Sequence, residues 1–171
     1  MVSDFIGENG KYILLSTARI QVQDIHGKFV EARALLDSGS QVSLISSSLK
    51  NRLGVNSKKD SSVIEGIGEY KSNINERINI PIKSKNSDYS TNIDLLVVKK
   101  IFSDLPAQKI VRGEIPDNIK LADPQFDIPS KIDLLLGAEI FYTLIKQGQI
   151  QFSEERYVLQ NSVFGWIACG P

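Results

Sequence analysis

The sequence predicts a mainly β protein: a β-barrel with a glycine-tipped hairpin and one or two short helices. Three observations lead there. Ala18, Ile20 and Val22 alternate with Arg19, Gln21 and Gln23, the pattern of a half-buried strand. Two short apolar runs end at special residues: Ala34-Leu35-Leu36 at Asp37, and Leu134-Leu135-Leu136 at Gly137. Helical spacing is confined to residues 46–53 and to the set Ile140, Phe141, Leu144 and Ile145.

In chain order, residues 12–22 form a first strand, and residues 24–28 form a turn with Gly27 as its φ-permissive member. Residues 29–36 return as a second strand and deliver Asp37. Residues 46–53 read as a helix that Ser46 or Ser47 can cap and Gly54 can end in a left-handed conformation. After a polar connection at 56–60 comes the stretch 62–70, two β-rich arms around Gly66-Ile67-Gly68. It reads either as an ordinary hairpin or as a flap closing over bound peptide, with Ile67 shielding the site. Its place some thirty residues after Asp37 favours the flap.

Residues 73–83 alternate as a strand in which Pro81 marks a sheet edge or a bulge. A polar turn at 84–90 leads to a strand at 91–99, apolar enough for burial on both faces. Residues 103–131, with Pro106, Pro116, Pro124 and Pro129, read as a long surface excursion, able to line a cleft but best taken as an insertion without chemistry. The strand ending at Gly137 enters a helix. Asp133 and Glu139 beside it are read as solvated or capping acids with no catalytic role. Short strands follow at 149–152, 157–160 and 163–168, with turns at 153–155 and 161–162 and Trp166 as a packing anchor. The expected organisation is an N-terminal extension at 1–11 and a single domain at 12–170.

Composition narrows the chemistry. At 42% apolar and 23% charged residues, the 171-residue chain suits one globular domain, and its formal net charge of zero gives no electrostatic case for nucleic acid. No apolar stretch approaches membrane-spanning length, and the N-terminus lacks the pattern of a signal peptide. Cys169 is the only cysteine and His26 the only histidine, which excludes an internal disulfide and a Cys/His zinc cluster. His26 reads as a turn residue and Cys169 as a structural residue near the chain end. No metal or cofactor is expected. If the chain is a hydrolase, carboxylates must do the work.

The stretch best suited to that work is Asp37-Ser38-Gly39-Ser40. An acid stands at the end of a buried strand, the hydroxyl after it hydrogen-bonds within the turn, and Gly39 lets backbone approach closely, as in aspartic proteases. The triplet alone also fits an exposed turn or a phosphorylation site. Leu35-Leu36 before it and Leu44-Ile45 after it argue against that, since an exposed turn needs neither.

Four blocks together carry a family resemblance: Leu14-Leu15-Ser16-Thr17-Ala18, Arg33 to Gln41, Ile132 to Glu139, and Val163 to Gly170. Across about residues 12–170 the chain resembles the retropepsin-like aspartic protease domain of Pao/BEL-type LTR retrotransposon polyproteins. The resemblance implies a retropepsin-like barrel, cleavage of a Gag-Pol-type polyprotein, and an intracellular setting such as a virus-like particle. It carries the catalytic acid to Asp37 alone and the supporting turn to Ser38 and Gly39; the residues themselves add Ser40 to that loop, Gly66, Ile67 and Gly68 as the expected flap, and Leu135, Leu136 and Gly137 as the expected element under the site. Retroviral relatives pair an acid two residues after the motif glycine with an Arg after the apolar-Gly element. Gln41 and Ala138 stand at those positions, so the site must be braced differently. Glu139 stands where the transposon family commonly has Asp.

The chemistry needs two carboxylates, and the chain has one such motif, so the expected assembly is a homodimer with Asp37 from each copy on a two-fold axis. Chain termini or the strand at 165–170 are candidates for the dimer contact. Peptide or polyprotein is the expected substrate, with neither nucleic acid nor membrane as partner. The alternatives are a non-catalytic interaction module that kept the barrel, or a generic β-barrel peptide binder.

Overall fold

The computed structural model describes residues 13–65, 71–151 and 157–170. Its strands are β1 (Thr17–Gln23), β2 (Phe29–Leu36), β3 (Leu44–Ser46), β4 (Lys58–Lys59), β5 (Val63–Glu65), β6 (Lys71–Asn73), β7 (Glu76–Lys83), β8 (Ser90–Val98), β9 (Leu134–Leu136), β10 (Ile145–Gln151), β11 (Val158–Ser162) and β12 (Gly165–Cys169). Helix α1 is Ser47–Leu53 and helix α2 is Ala138–Leu144. Six strands in the order β1-β2-β9-β3-β8-β7 close into a barrel, because β7 pairs back onto β1 at Gln21↔Lys83 and Val22↔Ile82. The fold is the mainly β barrel with two short helices that the sequence predicts.

Local chemistry explains the first elements. The β1–β2 turn is pinned by the Asp24 carboxylate, which accepts the backbone N–H groups of His26 and Lys28 at 2.9 and 2.8 Å. His26 is an exposed turn residue there. At α1, the Ser46 hydroxyl accepts the Leu49 N–H at 3.2 Å, and Gly54 ends the helix at φ 67°, a conformation that favours glycine. Pro81 lies between the part of β7 paired to β4, at Glu76 and Arg77, and the part paired to β1, at Ile82 and Lys83. A missing N–H is tolerated in such a gap.

The inward faces of the barrel strands make the main core, with Ala18, Ile20, Ala34, Leu36, Ile45, Ile80, Ile82, Leu95, Leu134 and Leu136 among its members. Strand β8 departs from expectation. Ile93 and Leu95 are buried, but Asn92 and Asp94 are exposed, so only one face is covered. Its apolar tail, Leu96-Val97-Val98, is half-buried: short β3 flanks it on one side, and on the other β7 reaches only Leu96, at Arg77.

The stretch 103–131 runs less freely over the surface than its prolines suggest. Leu105 and Ser130 exchange backbone hydrogen bonds at 3.0 and 3.1 Å and close its neck. Leu105, Ala122, Asp123, Phe126 and Asp127 are buried. Phe126, with half-buried Ile110, Ile115, Ile119 and Leu121, packs on Leu14, Tyr157, Leu159 and Ala168 in a second core over the sheet β10-β11-β12. A third small core joins Leu105 and Ile132 to Leu35 and Leu135, on the outer faces of β2 and β9.

The C-terminal strands also shift from their expected bounds. Strand β10 starts at Ile145, directly at the end of α2. The turn between β11 and β12 falls at Val163-Phe164 rather than at 161–162. These two apolar residues belong to the barrel core, so the turn points inward. The Ser84 and Ser87 hydroxyls donate to the Val163 carbonyl at 2.8 and 2.6 Å, and the Asn86 amide donates to the Phe164 carbonyl at 2.7 Å. Half-buried Trp166 packs against the second core.

Candidate active site

Asp37 follows the last residue of β2, where the strand runs between β1 and β9. Strand β9 is the reason the acid has a fixed place. It lies parallel to β2 through Ala34↔Leu134, Leu35↔Leu135 and Leu36↔Leu136, and antiparallel to β3 through Leu44↔Leu135 and Ile45↔Leu134. The loop from Asp37 to Ser43 therefore bridges two strands held by a common third. Leu134, Leu135 and Leu136 are buried on both faces, inward by the main core and outward by the core around Leu105. A continuous apolar run suits that environment.

The loop turns back on the carboxylate it carries. The Gly39 N–H donates to one Asp37 carboxyl oxygen at 2.9 Å, and the Ser40 hydroxyl donates to the other at 2.7 Å. Asp37 is half-buried, while Ser38 and Gly39 are exposed. The supporting hydroxyl is thus that of Ser40, not Ser38. The turn directs Ser40 back toward the acid and leaves Ser38 facing outward. With one donor on each oxygen the carboxyl plane is fixed, and each oxygen keeps acceptor capacity for a further partner.

Beneath this loop runs the strand-to-helix junction. The Asp37 N–H donates to the Leu136 carbonyl at 2.9 Å, and the Ala138 N–H donates to the Ser40 carbonyl at 2.7 Å. A β-carbon at Gly137 would stand 2.5 Å from the Val42 carbonyl oxygen and 2.7 Å from that of Ser40, closer than such atoms can approach. Glycine at 137 is what lets the two segments cross. The Gly137 N–H donates to the buried Ser43 hydroxyl at 3.0 Å, and the Ser43 N–H donates to the Glu139 carboxylate at 3.1 Å.

The structure therefore brings together Asp37, Gly39, Ser40, Leu136 and Gly137. Leu135 points to the outer core rather than toward the loop. Gly66, Ile67 and Gly68 lie outside the described residues. The arms that lead to them, β5 and β6, pair antiparallel through Val63↔Asn73, Ile64↔Ser72 and Glu65↔Lys71. Glu139 is exposed in the first turn of α2, as a solvated or capping acid would be, and Asp133 is half-buried, but neither is solvated alone. Each holds a backbone amide: Glu139 that of Ser43, and half-buried Asp133 that of Arg33 at 3.1 Å.

A further cluster escaped the sequence reading. Arg33, four residues before Asp37, is 1% exposed and pairs with the Asp123 carboxylate at 2.6 Å. Its guanidinium also donates to the carbonyls of Leu105 and of Ser130, the latter at 3.0 Å. Asp123 accepts further from the Thr17 hydroxyl at 2.9 Å and from Arg19 at 3.2 Å. Burial pushes the Asp123 carboxyl up. The charge and hydrogen bond of Arg33, the Thr17 hydroxyl and Arg19 outweigh it, so the net shift is below the usual carboxylate range. The only sequence signal was an Arg in an otherwise apolar run.

Among the described residues, no group of three or more His, Cys, Asp or Glu side chains is placed to hold a metal ion. No helix there is long and apolar enough to cross a membrane.

No model of a known protein family matches this sequence, and no curated protein matches it. Among solved structures, the chain is similar to the retroviral protease-like domain of Ddi1 from Leishmania major. The identity is 13% and the TM-score 0.43, over 94% of this chain and 97% of that one. It is also similar to a retropepsin-like aspartic protease from Rickettsia conorii, at 13% identity and a TM-score of 0.37, over 92% of this chain and 95% of that one.

Proposed function

We propose that this chain is an aspartic endopeptidase that works as a homodimer, with one Asp37 from each copy. One observation carries the reading. Asp37 ends a buried strand with its carboxylate clamped by the Gly39 N–H and the Ser40 hydroxyl, over a glycine that permits the crossing beneath. A solvated turn acid needs none of this.

In the proposed reaction one carboxylate, ionised, takes a proton from a water held between the two acids. The other, protonated, donates to the scissile carbonyl oxygen. The water oxygen bonds to the carbonyl carbon, and the tetrahedral species collapses as a proton passes to the leaving nitrogen. Two carboxylates are required and each chain supplies one, which is the argument for two copies. The hairpin of β5 and β6 is the proposed flap, with Gly66, Ile67 and Gly68 over the substrate.

The substrate proposed is an extended peptide segment of a Gag-Pol-type polyprotein, cut by a Pao/BEL-type protease unit spanning about residues 12–170 inside a virus-like particle. The sequence blocks around Asp37, Gly137 and Gly165 support that finer assignment.

The test is digestion of a broad peptide library by wild type and Asp37→Asn, from about pH 4 to about pH 7 and at several protein concentrations. Cleavage that rises faster than linearly with concentration and vanishes in Asp37→Asn is the expected result. No cleavage from protein that is folded and dimeric would overturn the reading in favour of a non-catalytic interaction module.

A further inference from the structure

We propose that Glu139 is a positioning residue for Asp37: its carboxylate fixes the far end of the loop that presents the acid. The inference rests on the protease reading and concerns the same site. Four hydrogen bonds tie the loop to the junction beneath it: Asp37 N–H to Leu136 O, Ala138 N–H to Ser40 O, Gly137 N–H to Ser43 Oγ, and Ser43 N–H to Glu139 Oε1. The first three use backbone groups and a hydroxyl that is itself buried. The fourth alone uses a charged side chain, and the amide it satisfies belongs to a residue only 1% exposed.

A backbone amide that loses its acceptor must find another, by admitting water or by a movement of the loop, and either one loosens Ser43 from the junction. Such a movement at Ser43 is not local. Three residues back, the Ser40 carbonyl is held by the Ala138 N–H at 2.7 Å and the Ser40 hydroxyl holds Asp37 at 2.7 Å. Displacing Ser43 drags Ser40 against its anchor and turns the Asp37 carboxyl. Two acids that share a proton across a two-fold axis tolerate little of this, because catalysis depends on reacting groups within a fraction of an ångström. Glu139 also fills a gap left by the sequence. Gln41 and Ala138 cannot form an ion pair across this junction, so Glu139 is the charged group that braces it.

Glu139 is exposed on α2, outside the three cores. Its removal therefore separates positioning from packing. The experiment compares wild type, Glu139→Ala, Glu139→Gln and Asp37→Asn on the peptide that wild type cuts fastest from the library. It reads kcat, KM, melting temperature and hydrogen-exchange protection of the Ser43 amide. Glu139→Ala is expected to lower kcat about tenfold or more while KM stays within about twofold. Its melting temperature should fall by no more than a few degrees, well short of what a roughly tenfold loss of kcat through unfolding would require, and the Ser43 amide should lose protection. Glu139→Gln keeps an acceptor oxygen and should restore most of both.

Wild-type cleavage together with an unchanged Glu139→Ala overturns this inference and leaves the protease reading standing. Equal losses of kcat and melting temperature in both variants also overturn it, since they would mark a stability residue. Absence of cleavage by folded wild type overturns the protease reading and takes this inference with it.

Discussion

At Gly137 the chain passes under the Asp37 loop with no room for a β-carbon, which would lie 2.5 Å from one backbone oxygen and 2.7 Å from another. Both obstacles are backbone, so neither can swing aside as a side chain would. Gly137→Ala must push the loop and β9 apart. It is expected to cost about 1–3 kcal/mol in urea unfolding and to remove peptide cleavage, since the displaced segment carries Asp37. Asp37 and Gly137 were legible because each ends an apolar run, and a run that stops at an acid or a glycine marks where a buried strand meets a constrained turn. The choice between Ser38 and Ser40 was not. Both serines sit in the same turn, and only its backbone angles decide which hydroxyl faces the acid. Glu139 was missed for another reason: its partner Ser43 is 96 residues away.

The same division runs through the elements. Helix α1 was readable with both its ends, because its signals are local: Ser46 before it and Gly54 after it. The hairpin of β1 and β2 was readable from alternation and an Asp-to-Gly turn. The loop 105–130 was not, because the partners that fold it are remote. Arg33 and Asp123 are 90 residues apart, and Arg33 also grips the neck at Leu105 and Ser130. Prolines suggested surface, while buried charge anchored the loop to β2. Arg33→Met alone leaves Asp123 buried with only the partly exposed Arg19 as a cation partner. It is expected to destabilise by about 3–5 kcal/mol in denaturant titration. The double change Arg33→Met with Asp123→Leu should recover most of that loss, because an apolar pair of similar volume needs no desolvation. The neck carbonyls stay satisfied in the double variant by the mutual bonds of Leu105 and Ser130. If the double variant is no more stable than the single, the cluster acts through the hydrogen bonds that Asp123 accepts from the Thr17 hydroxyl and the Gln125 N–H, at 2.9 and 3.1 Å, rather than through charge.

For the molecule as a whole, this loop is the segment that contributes to all three cores. Ala122 lies in the barrel core, Phe126 in the core over the C-terminal sheet and Leu105 in the core behind β2 and β9. Asp123 sits between the first two, held by Arg33 from β2 and by Thr17 and Arg19 from β1. Its carboxyl is burdened by burial but lowered on balance by Arg33, Thr17 and Arg19. A carboxyl lowered in the folded state gives stability that is fully present above its unfolded value of about 3.9 and is lost as pH falls through the folded value. The contribution of Asp123 should therefore be intact from neutral pH down to about pH 4 and disappear below it. Asp60 and Glu76 are lowered too, chiefly by hydrogen bonds from Ser62 and Lys50, and add to the acid slope that both proteins share. Urea midpoints measured from about pH 6 to about pH 2 should fall steeply only at the acid end in wild type. Asp123→Asn, which cannot titrate and leaves Arg33 without a counter-charge, should start lower at pH 6 and lose most of that acid slope. Parallel acid limbs in the two proteins would show that other carboxylates govern acid unfolding. The expected convergence would show that the Asp123 carboxylate, held by Arg33 and Arg19 on the barrel strands, governs acid unfolding.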